Sequence, residues 1–163
     1  MGSQELYDWL DAEPQLFHPG DLDYIHSVER IGQLSNVISI NGGVQLDLMG
    51  QENAESAGTR QLSGVGGQMD FLEGAFRSKG GKGFICINSS RITKDGERRS
   101  NILPTIPGGS TISAPRTMID YVATEYGVVS LMGKSLRERA EAMASIAHPD
   151  FREELLQYAH DHF

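Results

Sequence analysis

Apolar and polar residues alternate most regularly near the end of the chain, where the pattern predicts two helices. Ser135 and Glu138 have the spacing of a capping box, which starts an α-helix. A second helix is predicted to begin at Pro149, with His148 as its N-cap. Each helix is predicted to bury one apolar stripe. These stripes consist of Leu136, Ala140, Met143, Ala144 and Ala147 in the first helix, and of Phe151, Leu155, Tyr158 and Ala159 in the second.

A two-residue period marks the middle of the chain and predicts a strand. Residues 44–49 contain, in order, Val44, Gln45, Leu46, Asp47 and Leu48. This alternation is typical of a strand with one buried face, so the polar residues are expected on the other face. A further strand is predicted over residues 37–40. The glycines at 42 and 43 fit either a hairpin turn between the two strands or a kink in one long strand, and the sequence leaves both open.

The other predicted elements are shorter, and together they indicate the fold class. We expect a helix over 4–11, helical turns over 28–34, an element of undetermined type over 71–76, a central strand over 84–88, turns at 79–83, 93–97 and 124–127, a loop over 100–110, and strands over 111–114 and 118–123. Strands mixed with helices predict an α/β or α+β fold. We expect an α/β fold with a layered mixed sheet, flanking helices and two helices at the end. The length of 163 residues predicts one domain over 1–163.

Three glycines within four residues, Gly64-Val65-Gly66-Gly67, form the most informative short segment. Glycine adopts positive φ without steric cost and lets another group approach the backbone closely. Successive N–H groups in such a turn can bind an anion or an oxyanion. The spacing does not match a dinucleotide-binding motif, because its third glycine is replaced by Met69. An ordinary tight turn is the alternative interpretation.

The charge and the single cysteine narrow the class of protein. The chain has 22 acidic and 14 basic residues, for a net charge of −8, which argues against nucleic-acid or anionic-membrane surfaces as partners. Cys86 excludes an internal disulfide and, within an apolar segment, is expected to be a small buried residue. We see no secretory signal in residues 1–11 and no apolar run of about 20 residues. These features predict a cytoplasmic protein.

Other candidate chemistry is less specific. Gly133-Lys134-Ser135 is similar to the end of a phosphate loop, but Val128 stands where that motif requires glycine, so a helix start is the preferred interpretation. Glu125 lies at a predicted strand end, which fits either a site residue or a solvated turn residue. The five histidines lack the spacing of a metal-ligand set, so no metal site is predicted. These histidines are His18, His26, His148, His160 and His162.

Several blocks occur in a fixed order along almost the whole chain. They cover residues 2–10, 39–41, 46–55, 64–71, 80–82, 122–128, 133–135 and 146–152, and the most specific are Val122-Ala123-Thr124-Glu125-Tyr126-Gly127-Val128 and Ile146-Ala147-His148-Pro149-Asp150-Phe151-Arg152. As a set, these blocks resemble the C-terminal domain of the acetyl-CoA hydrolase/transferase family, which comprises class I CoA-transferases.

The resemblance implies a reaction with coenzyme A as a substrate and with a covalent intermediate. A family glutamate attacks the acyl-CoA thioester, and CoA then passes through a glutamyl thioester to a second carboxylate. Gly67 matches the family position that donates a backbone N–H to the oxyanion, within a CoA-binding loop that includes Gly64 and Gly66. Glu125 matches a family glutamate near the active site, where it orients other groups. Lys94 falls near a family lysine that faces CoA.

Two departures from the family pattern affect this expectation. The nucleophilic glutamate of the family lies upstream of the block that matches residues 2–10. We therefore expect this chain alone to lack the covalent chemistry and to need the N-terminal half of the enzyme as a partner. In addition, His26 falls near a family asparagine that donates to the oxyanion. An imidazole N–H in its place would make activity sensitive to pH.

The expected function is that of the C-terminal half of a CoA-transferase acting on acyl-CoA and a small carboxylate, such as acetate, butyrate or 4-hydroxybutyrate. The resemblance also implies a homo-oligomer, and it leaves transferase and hydrolase activity open. One alternative is a non-catalytic domain that binds CoA or acyl-CoA or docks on a partner. A nucleotide-binding domain that uses Gly133-Lys134-Ser135 is the other.

Overall fold

A computed structural model describes residues 2–163 of the protein. The helices are α1 (Gln4–Ala12), α2 (Leu22–Ile25), α3 (Val28–Gln33), α4 (Gln68–Arg77), α5 (Leu136–Ser145) and α6 (Pro149–His162), with a 3-10 turn at Pro14–Leu16. The strands are β1 (Ile38–Gly42), β2 (Gln45–Asp47), β3 (Glu52–Asn53), β4 (Ser56–Ala57), β5 (Arg60–Gln61), β6 (Lys82–Cys86), β7 (Ser90–Ile92), β8 (Arg98–Ser100), β9 (Ile102–Leu103), β10 (Tyr121–Thr124) and β11 (Gly127–Ser130). The predicted α/β fold with two terminal helices is confirmed.

The main sheet has four strands in the order β1-β6-β10-β11. The first three strands are parallel, and β11 returns antiparallel to β10. β6 therefore lies inside the sheet, as predicted from its apolar sequence. The chain between the parallel strands β1 and β6 ends in α4, and a short turn joins α4 to the start of β6. The N-terminus of α4 therefore lies towards the edge where these strands end. We call this edge, where β1, β6 and β10 end, the carboxyl edge.

The core lies between one face of the main sheet and the helices. Leu72 of α4, Ile85 of β6 and Val122 of β10 are almost completely buried there. Met143 of α5 and Leu155 of α6 extend the same cluster. The opposite face of the sheet is more open: Ile40 is 68% exposed, and the ring of Phe84 stacks on Tyr121 at a centroid distance of 4.7 Å.

The segment Asn41-Gly42-Gly43 is not a hairpin turn. β1 pairs with β6 in the main sheet, whereas β2 pairs with β3 and β9 in a second, three-stranded sheet. The chain therefore bends here and passes from one sheet to the other. Gly43 is required for this path, because a Cβ at this position would lie 2.7 Å from Glu52 Oε1 and 2.9 Å from Ile87 Cγ2.

The prediction that β2 has one solvent-facing side was wrong, because Gln45 and Asp47 are buried like their apolar neighbours. The Asp47 carboxylate is satisfied locally. Oδ1 accepts hydrogen bonds from the N–H groups of Met49 at 3.0 Å and Gln51 at 2.9 Å, and Oδ2 accepts one from the Gln51 side chain at 2.7 Å. A buried carboxylate with three donors carries little of the usual penalty of burying a charge.

Other element boundaries also differ from the sequence-based expectations. Residues 71–76 are part of the helix α4, and the predicted loop over 100–110 contains β9. The predicted strand over 111–114 is not one, since only Ala114 forms an isolated bridge, with Glu52. The strand predicted over 118–123 is confined to Tyr121–Thr124.

The C-terminal helices begin as predicted. Arg139 of α5 links them to the rest of the fold by hydrogen bonds. The capping box of Ser135 and Glu138 is present, and the His148 side chain accepts from the N–H of Asp150 at 3.3 Å. The buried Arg139 guanidinium donates to the carbonyl oxygens of Met49 at 2.7 Å, Leu131 at 2.8 Å and Arg116 at 2.7 Å. Three separate chain segments are thereby held by one side chain of α5.

Candidate functional site

The carboxyl edge of the main sheet holds an open cleft of about 410 Å³. Ligands of open α/β sheets commonly bind at this edge, where strands end and loops begin. The cleft is lined by Gly43, Cys86, Ile87, Asn88, Ala123 and Thr124. Cys86 was expected to be buried, but it is only half-buried because it ends β6 at this cleft.

The glycine loop, residues 64–67, leads into α4 at the same edge. Gly66 has a positive φ of +61°, and Gly67 is the N-cap of α4 with no capping side chain. Within residues 2–163, the N–H groups of Gly64, Gly66 and Gly67 donate no hydrogen bond. The first N–H groups of a helix have no intrahelical acceptor, so this loop presents donors to an incoming negative charge.

His26 lies directly against the glycine loop. A Cβ on Gly67 would fall 2.5 Å from His26 Nδ1, so only glycine leaves room for the imidazole ring. The ring also packs edge-on against Phe71, with the centroids 5.2 Å apart. The fold thus brings together two residues, Gly67 and His26, that are 41 positions apart in sequence.

Asp70 lies beside the His26 ring. Its Oδ2 lies 3.4 Å from His26 Nδ1, and the histidine side chain is 24% exposed. A proton on Nδ1 directed at Asp70 leaves Nε2 as an acceptor in the neutral ring. In the other tautomer Nε2 carries the proton and is a donor.

Glu125 occupies the turn between β10 and β11, at the end of β10. Its Oε1 accepts from the Ser89 hydroxyl at 2.6 Å and its Oε2 from the Ser89 N–H at 2.9 Å. Partial burial alone would raise the pKa of Glu125, but these hydrogen bonds and the nearby His148 together lower it below the ordinary value. The carboxylate is therefore ionised and held in a fixed orientation.

The remaining predicted site residues lie elsewhere or serve the fold. Lys94 is exposed at the tip of the β7–β8 hairpin and makes no hydrogen bond or ion pair with the rest of residues 2–163. Ser135 uses its hydroxyl in the capping box of α5. It therefore supports the interpretation of Gly133-Lys134-Ser135 as a helix start. No group of three or more His, Cys, Asp or Glu side chains in the described chain could hold a metal ion.

Sequence reasoning missed three polar residues of this region: Glu52, Gln68 and Ser89. Glu52 is completely buried, and its Oε2 accepts a hydrogen bond from the Gln68 side chain, directly after Gly67. Burial raises the pKa of Glu52 to about 8, against a smaller lowering by Gln68. The signal available in the sequence was the position of Gln68 beside the glycine loop, but nothing local indicates its contact with residue 52.

An open α/β sheet with a glycine loop and polar side chains at its carboxyl edge is an arrangement in which α/β domains commonly bind ligands. A family model described as "Acetyl-CoA hydrolase/transferase C-terminal domain" matches residues 2–159. The chain therefore belongs to this family and corresponds to its C-terminal domain.

Similar proteins agree with this assignment. The chain is 44% identical over 158 residues to a butyryl-CoA:acetate CoA-transferase of Anaerostipes caccae, covering 97% of this chain and 35% of that protein. It is 46% identical over 156 residues to a 4-hydroxybutyrate coenzyme A transferase of Clostridium kluyveri, covering 96% of this chain and again 35% of the relative. The chain thus spans about a third of the length of these relatives.

Solved structures show the same fold. RipA from Yersinia pestis is similar with a TM-score of 0.83 and 41% identity, over 99% of this chain and 35% of that one. A 4-hydroxybutyrate CoA-transferase from Porphyromonas gingivalis gives a TM-score of 0.78 and 39% identity, over 100% of this chain and 36% of that one. None of the helices in residues 2–163 combines the length and apolar character that a membrane span needs.

Proposed function

We propose that this chain is the C-terminal part of a CoA-transferase that moves CoA between an acyl-CoA and a small carboxylate. The relatives named for butyryl-CoA with acetate and for 4-hydroxybutyrate support acetate, butyrate or 4-hydroxybutyrate as the carboxylate. An acetyl-CoA hydrolase of Kluyveromyces lactis, 32% identical over 160 residues, is a more distant relative. Transfer is therefore favoured over hydrolysis.

The observation that carries the proposal is the glycine loop, whose amides at Gly64, Gly66 and Gly67 donate no hydrogen bond within residues 2–163 and whose Gly67 lies against His26. In the proposed reaction a carboxylate oxygen, supplied by another polypeptide segment, attacks the thioester carbonyl carbon. The C–S bond breaks, CoA thiolate leaves and an anhydride forms. The thiolate then attacks the enzyme-side carbonyl of the anhydride, which releases the first carboxylate and leaves CoA as a thioester on the enzyme. The second carboxylate attacks this thioester and expels CoA thiolate, and the thiolate attacks the substrate-side carbonyl of the new anhydride. The new acyl-CoA leaves and the enzyme carboxylate is restored. Each addition places negative charge on a carbonyl oxygen, which the Gly67 N–H and His26 stabilise.

Glu125 and Lys94 have supporting roles in this proposal. The Glu125 carboxylate, held by Ser89 at the carboxyl edge, orients groups of the active site rather than reacting itself. Lys94, at the tip of an exposed hairpin next to β6, contacts the phosphates of CoA. Gly64 and Gly66 complete the loop that receives the thioester end of CoA.

The test is a chimeric enzyme in which this chain replaces the matching C-terminal segment of the Anaerostipes caccae transferase. We expect CoA transfer from butyryl-CoA to acetate by the chimera and none by this chain alone. A folded chimera that binds acetyl-CoA but transfers nothing would favour the alternative of a binding or docking domain.

A thermal-shift comparison of the chain alone addresses the ligand class. Stabilisation by CoA or acetyl-CoA, with none by Mg-ATP, is the expected result. Stabilisation by Mg-ATP, with none by CoA or acetyl-CoA, would contradict the proposal and support nucleotide binding. Light scattering of the same sample would test the expected homo-oligomer.

A further inference from the structure

Glu52 is a fully buried carboxyl group without a role in the reaction described above. It belongs to the two-residue strand β3, and its backbone is fixed on both sides. The Glu52 N–H donates to the Ala114 carbonyl at 3.0 Å, and the Glu52 carbonyl accepts from the Ser113 N–H at 2.8 Å. The side chain is thus anchored at its base and projects from a rigid position.

The two oxygens of the Glu52 carboxyl group face the two elements that frame the glycine loop. Oε2 accepts a hydrogen bond from the side chain of Gln68, the first residue of α4. Oε1 lies against Gly43, the residue that follows β1 and lines the cleft, and within residues 2–163 it has no hydrogen-bond partner. The carboxyl group therefore fills the space between the end of β1 and the start of α4.

A buried acid in this position is tolerated when it is neutral. Burial raises the pKa of Glu52 to about 8, so the carboxyl group retains its proton at neutral pH. A neutral acid avoids the large cost of an unpaired buried charge. It can still accept the Gln68 hydrogen bond, which keeps the contact intact.

From this geometry we propose that Glu52 is a positioning residue, which through Gln68 holds the first turn of α4 and the glycine loop against His26. The Gln68 backbone directly follows Gly67, and the Gly67 carbonyl accepts from the Phe71 N–H at 3.1 Å. Fixing the Gln68 side chain therefore fixes the residue that presents the free amide. The functional consequence rests on the proposed function, but the positional role does not.

The test is hydrogen exchange of the 163-residue chain at pH 6, followed by NMR at single amides. The variants are Glu52→Ala, Gln68→Ala, the double variant and the isosteric Glu52→Gln. The matched control is Glu55→Ala, which changes the same residue type three positions later. Glu55 accepts from the Ser113 hydroxyl at 2.6 Å and from the Gln61 side chain at 3.2 Å, and within residues 2–163 its side chain makes no hydrogen bond with α4.

The main readout is the Phe71 amide, which opens when the first turn of α4 opens. The Ser78 amide, which donates to Gly74 at 3.0 Å at the other end of the helix, is the internal reference. We expect Glu52→Ala and Gln68→Ala each to speed exchange at Phe71 about tenfold with little change at Ser78, because one buried hydrogen bond is lost. The double variant should add nothing further, and Glu52→Gln should stay within about twofold of the parent.

A shift of the His26 ring Cε1–H resonance in the same two alanine variants would accompany loosening beside that ring. The proposal is overturned if Glu52→Ala and Gln68→Ala change Phe71 exchange no more than Glu55→Ala does. Equal acceleration at Phe71 and Ser78 would also overturn it, since Glu52 would then support the fold in general. Should Glu52→Ala fail to fold, Gln68→Ala and Glu52→Gln alone decide by the same criteria.

This result is independent of the CoA-transferase proposal. Unchanged exchange at Phe71 with an active chimera would remove only the role of Glu52. Changed exchange with an inactive chimera would remove the proposed function and leave the positional role. In an active chimera, Glu52→Ala should lower kcat with a smaller effect on KM, and Glu52→Gln should restore it.

Discussion

The helices α4 and α5 have the same length of ten residues, but their N-termini are capped differently. The start of α5 is closed by a capping box, in which the Ser135 side chain accepts from the Glu138 N–H and the Glu138 carboxylate accepts from the Ser135 N–H at 2.7 Å. The start of α4 is open, since Gly67 has no side chain to serve as a cap. The N–H groups at the start of α5 are bonded within the capping box, whereas the start of α4 has no side-chain cap for its N–H groups.

This difference separates a helix start that stabilises the fold from a helix start to which the proposed function assigns a ligand. A glycine N-cap in place of serine or aspartate costs a helix a few tenths of a kcal/mol of stability. At α4 the cost coincides with a glycine that alone leaves room for His26. Changes near α5 should therefore affect stability, and changes near the start of α4 should affect the reaction.

The largest effect is expected at Arg139. Replacing it by leucine should destabilise the chain by about 3–5 kcal/mol, because three carbonyl acceptors lose their donor inside the core. Urea unfolding measures this loss, and Arg137→Leu on the exposed side of α5 is the control. A change below about 1 kcal/mol would show that these hydrogen bonds are replaced by other partners.

The next effect is the pH dependence caused by Glu52. Its pKa is about 8 in the folded chain against an ordinary value of 4.5. Between pH 4.5 and pH 8 the folded chain therefore keeps a proton on Glu52 that the unfolded chain loses. The stabilisation is complete below pH 4.5 and is lost as the pH rises to 8, at about 1.4 kcal/mol per pH unit, which is on the order of 4 kcal/mol between pH 5 and pH 8. In urea unfolding at pH 5 and pH 8, the free energy of unfolding should change less with pH in Glu52→Gln than in the parent. Parallel curves for the parent and the variant would contradict the assignment.

Gly67→Val should lower CoA transfer by about 10²–10³ in the active chimera, because the free amide is displaced and His26 is pushed away. The fold should survive, since Gly67 has a φ of −88° that other residues adopt. Gly108→Val is the control, as a Cβ at Gly108 meets no atom within 4 Å. Transfer at the parental rate by the Gly67 variant would remove the oxyanion role.

Glu125→Ala should lower turnover by about tenfold and change CoA affinity less, since an orienting carboxylate acts on the reacting geometry. Steady-state kinetics with a direct measurement of CoA binding separates the two. Ser89→Ala, which removes one of the donors that hold Glu125, should give a smaller loss of the same kind. An unchanged rate in both variants would return Glu125 to a structural role.

The smallest effect is expected at the closed helix start. Ser135→Ala should cost about 1 kcal/mol of stability by opening the capping box. CoA binding should not change, because the hydroxyl serves α5 alone. A loss of CoA binding here would mean that the start of α5 also serves a ligand.

The sequence predicted those parts of the fold that depend on local patterns. The capping box and most of the apolar stripes of α5 and α6 are set by residues within one or two turns, so they were predicted well. Leu136 is the exception: it was predicted to be buried, but it lies exposed at the first position of α5. The burial of Asp47 was not, because its donors come from a turn that no periodicity reveals. The bend at Gly43 was undecided because it depends on two sheets that meet only in the folded chain.

The candidate site was also hard to predict where it depends on residues that are distant in sequence. His26, Gly67 and Glu125 were singled out, but mainly through a family resemblance, and their roles stay predictions. The contact between His26 and Gly67 is visible only in three dimensions. Glu52 could not be found at all, since an acidic residue in a polar segment is normally exposed. Its burial follows from pairing with distant residues at 113 and 114.

The three carbonyl partners of Arg139 have a consequence for synthesis of the protein on the ribosome. The partner at Met49 is translated 90 residues before the arginine that binds it, and the partner at Arg116 is translated 23 residues before. A nascent polypeptide that has emerged only as far as β11 lacks the three hydrogen bonds of Arg139. The domain should therefore gain its resistance to proteases late, after α5 has left the exit tunnel.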